Sequence, residues 1–252
     1  MIPRSWDELT DTQAIAIAPF ALRSKGNLGV KMKAYEALLP PELLPVYAKL
    51  SAKEIQPLLR DVNWIYETPV TKPHIRSFTI NNIAYLLPRE DFKNVRIIEY
   101  SYANQFYDEL FDKKSFKALN KVIASLCRPA KKDVDTESPD YDGDPRERFN
   151  PELIDQRAEL FDNLPMEFKA YFLLLYNGCS EHIVKQFKPL FGEGGDDGKS
   201  KTPNFGWLGI IMSLADAGVF GSFEQTQYTF LYTAMAYRLK KYYEAKELNE
   251  VK

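Results

Sequence analysis

Cysteine is almost missing: Cys127 and Cys179 are the only two in 252 residues. Two thiols over that length make neither a disulfide framework nor a thiolate metal site. Both stand in apolar helical patterns, where a small buried hydrophobe fits. Histidine is equally scarce, and His74 and His182 have no neighbours at metal-ligand spacing. HExxH, GxSxG and CxxC do not occur, which removes the local signatures of zinc hydrolases, serine hydrolases and dithiol redox proteins. Glu181-His182 is read as polarity in a first helical turn, not as an acid/base pair. Long apolar runs are also absent. The longest, "AIAIAPFAL" and "YFLLLY", fall well short of the roughly 20 residues of a membrane helix. "MIPRSWDELT" brings acids where a secretory signal would be apolar. Charge of one sign is lacking as well, with a formal net of −2, so nothing draws the whole chain to nucleic acid or anionic lipid. Arg128, Lys131 and Lys132, and Arg238, Lys240 and Lys241, form no continuous basic track. The expectation is a soluble intracellular protein with no catalytic residues, no metal and no cofactor.

What is present is ring-rich and helical. Aromatic residues make up 13% of the chain. Thr10 and Gln13 have capping-box spacing, and the alanine/isoleucine run after them predicts a helix that Pro19 disturbs. Short helices follow from about Lys31 and over Ser51–Arg60. Residues 74–88, "HIRSFTINNIAYLLP", partly alternate around Asn81-Asn82, a pair that tolerates positive φ and predicts a β-hairpin. Ser77 and Thr79 then face one side, Phe78 and Ile80 the other.

Helical spacing returns at Ile98, Tyr102, Phe106 and Leu110, and again at Phe116, Leu119, Val122, Ile123 and Leu126, ended by Arg128-Pro129. Asn150 caps a helix with Pro151 at its first position. Met166–Tyr176 predicts an apolar helix stopped by Asn177-Gly178, with another capped by Ser180. Thr202-Pro203 opens a further helix. The last, about Glu224–Leu248, is expected to bury Tyr228, Leu231, Met235, Leu239 and Tyr242. The fold class is mainly α: a multi-helix bundle with one small β-hairpin. Residues 130–147, rich in Asp, Glu and Pro, are expected to form a solvated acidic linker. It separates an N-terminal helical region, 1–129, from a C-terminal one, 148–252, although both could belong to one continuous domain.

Two loops imitate binding motifs. Residues 191–203, "FGEGGDDGKSKTP", end like a phosphate loop at Gly198-Lys199-Ser200. The required first glycine would be residue 193, which is Glu, and Asp196 and Asp197 would repel phosphate. A connector is the better reading. "SPDYDGDPRERF" places Asp140, Asp142 and Gly143 as in a calcium loop, but Phe149 stands where the bidentate Glu belongs. What remains is the aromatic surplus. Phe230 and Tyr237, off the main apolar face of the last helix, and Trp207 are the candidate partner-binding residues.

Several landmarks together resemble a phage family. "IPRSWDELTDTQ" is similar to the opening of small proteins encoded among the tail genes of tailed bacteriophages. "TINNIAYLLP", "LCRP", "RAELFDNLP", "FKPLF" and "NFGWLGIIMSLADAGVFG" follow in the same general layout. The resemblance implies a tail-assembly-chaperone-like protein, which needs no cofactor. It would hold an aggregation-prone helical partner such as the tape-measure protein in the host cytoplasm, with no membrane or nucleic-acid partner and self-association left open. A structural virion protein of the tail or neck is the alternative. A nucleotide-dependent enzyme using Lys199 is the third reading.

Overall fold

In a computed structural model of the chain, residues 2–23, 26–132, 135–139, 141–191 and 206–250 are described. The fold is mainly α with a small antiparallel sheet, as the periodicity implies. It comprises two compact units: residues 1–76 with 163–179, and residues 77–162 with 180–252.

The first unit holds α1 (Asp11–Ala21), α2 (Leu28–Leu38), α3 (Leu44–Tyr47), α4 (Ala52–Leu58) and α5 (Trp64–Glu67). Thr10 and Gln13 form the expected capping box, as do Ser51 and Glu54. Contrary to expectation, α1 continues past Pro19. Proline removes one helical hydrogen bond, while the complete burial of Ala14, Ile17 and Ala18 supplies packing that outweighs it. Trp6 anchors the unit: its ring meets Trp64 edge-on at 5.5 Å, and its indole N–H donates to the Thr68 carbonyl at 3.0 Å.

The second unit begins with the hairpin, β1 (Ser77–Ile80) and β2 (Ile83–Leu86). Asn81 and Asn82 both take positive φ, 51° and 61°, the conformation required by a two-residue turn of matching twist. Phe78 stacks on Tyr85 across the strands at 5.5 Å, and Phe161 stands edge-on to Tyr85 at 5.0 Å. A third strand, β3 (Arg128–Pro129), pairs with β2. The sequence gives no sign of it, because two residues containing a proline carry no period.

α6 (Ile97–Asp112) and α7 (Phe116–Leu126) lie beside one another. Leu119, Val122, Ile123 and Leu126 are buried as expected, whereas Phe116 is 72% exposed. α8 (Ile154–Leu160) follows a short 3-10 turn that Asn150 caps.

α9 (Met166–Gln186) runs without interruption through Asn177-Gly178, where the sequence pointed to a stop. Gly178 serves close approach instead: a Cβ there would lie 2.2 Å from the Val70 carbonyl oxygen. α10 (Lys188–Phe191), α11 (Gly206–Asp216), α12 (Phe223–Gln227) and α13 (Leu231–Glu250) complete the described helices.

The expected last helix is therefore two. Ile97 N–H donates to the Thr229 carbonyl and Leu231 N–H to the Val95 carbonyl, at 3.0 and 2.9 Å. That pairing needs extended chain between α12 and α13, and it ties the start of α13 to the start of α6. Leu231 and Met235 are fully buried, but Tyr242 is exposed, which corrects the expected apolar face. No helix among the described residues is long and apolar enough to cross a membrane.

Candidate functional site

The segment expected to be a solvated linker delivers two deeply buried charges, Asp144 and Arg146. Lys131 N–H donates to the Pro145 carbonyl and Glu147 N–H to the Pro129 carbonyl, both at 2.8 Å. The chain at 145–147 thereby runs along β3 and draws Asp144 and Arg146 inside, at 3% and 1% exposure.

Arg146 donates from Nε to Asp144 at 2.9 Å, and to the Leu126 and Asn94 carbonyls at 2.7 Å each. It also pairs with Glu99 of α6 at 3.3 Å. Arg128, from β3, donates to Glu99 and Asp144 at 2.9 Å each, and to the Glu147 carbonyl. Asn94 completes the cluster, donating to Asp144 at 3.1 Å.

Two guanidinium groups and two carboxylates thus neutralise one another away from water. Burial pushes the Glu99 carboxyl pKa up, against the opposing pull of Arg146 and Arg128. Burial acts on Asp144 in the same direction, but its hydrogen bonds from Arg146 and both arginine charges outweigh it and hold that pKa below the usual range. One donor stays unanswered: Arg128 Nε is buried without a hydrogen-bond acceptor among the described residues.

Beside this cluster lies a cavity of about 310 Å³, lined by Arg96, Arg128, Lys131, Arg146 and Arg148 together with Asp142, Asp144, Phe149 and Tyr228. Asp142 bridges Arg96 at 2.7 Å and Lys131 at 2.8 Å. Those cations occupy the carboxylate that the sequence suggested as a calcium ligand; Asp140 lies outside the described residues. The Arg96 guanidinium sits 3.5 Å from the centre of the Phe230 ring, and that of Arg148 sits 4.2 Å from Tyr228. Tyr228 is held in turn by its hydroxyl, which donates to the Phe149 carbonyl at 3.0 Å.

A second concavity, about 490 Å³, opens between α10, α11 and α13. Pro189, Leu190, Leu214, Tyr237 and Tyr242 are among its lining residues, with Arg238 and Lys241 at its basic side. Met212 of α11, at 42% exposure, and Leu208 add uncovered apolar surface on this unit.

The three candidate rings do not share one surface. Tyr237 lines the second concavity and meets Phe220 edge-on at 5.6 Å. Trp207 packs edge-on against Tyr100 at 4.7 Å, and Phe230 lies beneath Arg96. The last two rings are half-buried and engaged within the chain. The Gly198-Lys199-Ser200 loop and Thr202-Pro203 lie outside the described residues.

His74 is similarly committed inside the first unit. Its ring Nε2–H donates to the Trp6 carbonyl at 2.6 Å, which leaves Nδ1, at 3.2 Å, to accept from the Tyr171 hydroxyl. That hydroxyl accepts the His74 backbone N–H at 2.7 Å. Burial pushes the Tyr171 pKa up to about 12. The closed circuit clamps loop to helix and leaves the ring no free nitrogen for a substrate.

Among these features, the buried arginines and their carboxylates escaped the sequence reading. Their one visible signal was a basic group, Arg128 to Lys132, at the start of an acid-rich segment that also contains Arg146 and is followed by Arg148. Comparison with protein-family models, with curated proteins and with solved structures returns no match, so these residues carry the functional reading by themselves.

Proposed function

We propose that the chain is a non-enzymatic, chaperone-like protein of phage tail assembly, acting in the host cytoplasm, and that it holds an apolar helical segment of another tail protein such as the tape-measure protein. The observation that carries this reading is the α10–α11–α13 concavity, where Tyr242 is exposed and Pro189, Leu190 and Tyr237 are half-buried, beside Arg238 and Lys241. An amphipathic helix lays its apolar face into such a groove and places its own acids against the basic rim. Arg238 makes no ion pair among the described residues, and burial lowers its pKa; a partner carboxylate would compensate that charge.

The test is capture of the co-encoded tail proteins by the purified chain. Replacing Tyr237 and Tyr242 together with alanine is expected to weaken capture at least about tenfold, since aromatic anchors dominate such contacts. Circular dichroism should stay unchanged, because neither ring is fully buried. Full-strength capture by the folded double variant would remove this groove from consideration. Mass spectrometry of purified particles separates the chaperone from a virion component, because a chaperone is left behind when the tail is complete.

A further inference from the structure

We infer that the cavity between β3, the start of α6 and the loop leading into α13 is a binding site for a small phosphoryl-bearing anion. It is separate from the apolar groove and independent of the role proposed for that groove.

Five cations line the cavity, while three carboxylates answer them: Asp142 and Asp144 in the wall and Glu99 behind it. Two positive charges remain for a ligand. Glu224 offers Arg148 a contact at 3.5 Å, but both side chains are largely exposed, and an ion pair of that kind is worth little.

The cations are also held in place before any ligand arrives. Arg96 is fixed by the Phe230 face and one hydrogen bond to Asp142. Arg148 lies on Tyr228, which its own hydroxyl bond immobilises. Stacking occupies the face of a guanidinium and leaves its edge N–H groups directed outward, the geometry that matches phosphate oxygens in pairs. α6 starts immediately after Arg96, so the positive end of a 16-residue helix dipole adds to the local potential.

A second, independent sign of a missing acceptor lies deeper. Arg128 is 1% exposed, lines the cavity, and keeps Nε–H without an acceptor among the described residues. A buried N–H of a charged group is costly to leave unanswered. At about 310 Å³ the cavity falls at the small end of ligand pockets, which span roughly 300–1,000 Å³. That suits a compact mono- or diphosphate carrying a small organic portion against Phe149 and Tyr228.

The experiment titrates inorganic pyrophosphate into the intact purified chain by calorimetry and by thermal shift, against sodium chloride at equal ionic strength and against citrate. Pyrophosphate is expected to bind with a submillimolar dissociation constant and to raise the melting transition, while chloride does not. Arg148→Glu, which alters an exposed side chain outside the buried network, should weaken pyrophosphate at least about tenfold and leave the ligand-free transition in place. Arg148→Lys should fall between the two. Equal stabilisation by pyrophosphate and chloride would overturn the inference, and so would undiminished binding by Arg148→Glu. Citrate binding as tightly as pyrophosphate would overturn the phosphoryl assignment.

Discussion

Arg146→Met is expected to cost about 3–5 kcal/mol, the penalty for breaking a buried ion network by removing one partner. Methionine preserves much of the apolar volume but answers none of the groups that the guanidinium serves. Asp144 and Glu99 would face Arg128 alone, and the Leu126 and Asn94 carbonyls would lose their donor. For a chain of this size each kcal/mol shifts the transition by about 2–4 °C, so a fall of roughly 10 °C in differential scanning calorimetry is the expected result. Arg146→Lys should recover a minor part, because an ammonium keeps the charge without the planar fork. A shift under a few degrees for the methionine variant would mean that the cluster does not organise its unit.

The second large effect carries a diagnostic sign. In an exposed helix interior, Gly→Ala stabilises by about 1 kcal/mol. At Gly178 the added methyl would stand 2.2 Å from the Val70 carbonyl oxygen and 2.7 Å from its carbon. Neither atom belongs to a side chain that can swing aside. Gly178→Ala should therefore destabilise by about 2–3 kcal/mol, within the range for overpacking a close contact. A urea titration reads this as an earlier midpoint. A later midpoint would show that the helix and residue 70 do not touch in the way described.

That glycine also illustrates how far local rules reach. "NG" after an apolar helix is a sound stop signal for an isolated segment, yet here the helix continues and the glycine lets it pass close to the backbone of residue 70, far upstream. Where both partners of an interaction sit within one turn, the sequence was sufficient. Thr10 with Gln13 and Asn81 with Asn82 were legible because their conformations depend on immediate neighbours. Pro19, β3 and the break before α13 were not. Each depends on pairing or packing supplied by distant chain.

The cationic cavity follows the same logic. Arg146 reaches the Asn94 carbonyl across 52 positions and Arg128 reaches Glu99 across 29, and no spacing rule connects residues so far apart. The apolar groove was half legible: Tyr237 was singled out and lines it. Trp207 and Phe230 share its aromatic character, but they are engaged by Tyr100 and Arg96.

The two thiols give the molecule a built-in clock for opening. Cys179 belongs to one unit and Cys127 to the other, both are fully buried, and burial drives the Cys127 pKa far above that of a free thiol. Thiolate is the reactive form, so an alkylating reagent must wait for the chain around each sulfur to breathe. Peptide mapping after a timed pulse then records two separate rates, one for each half of the fold.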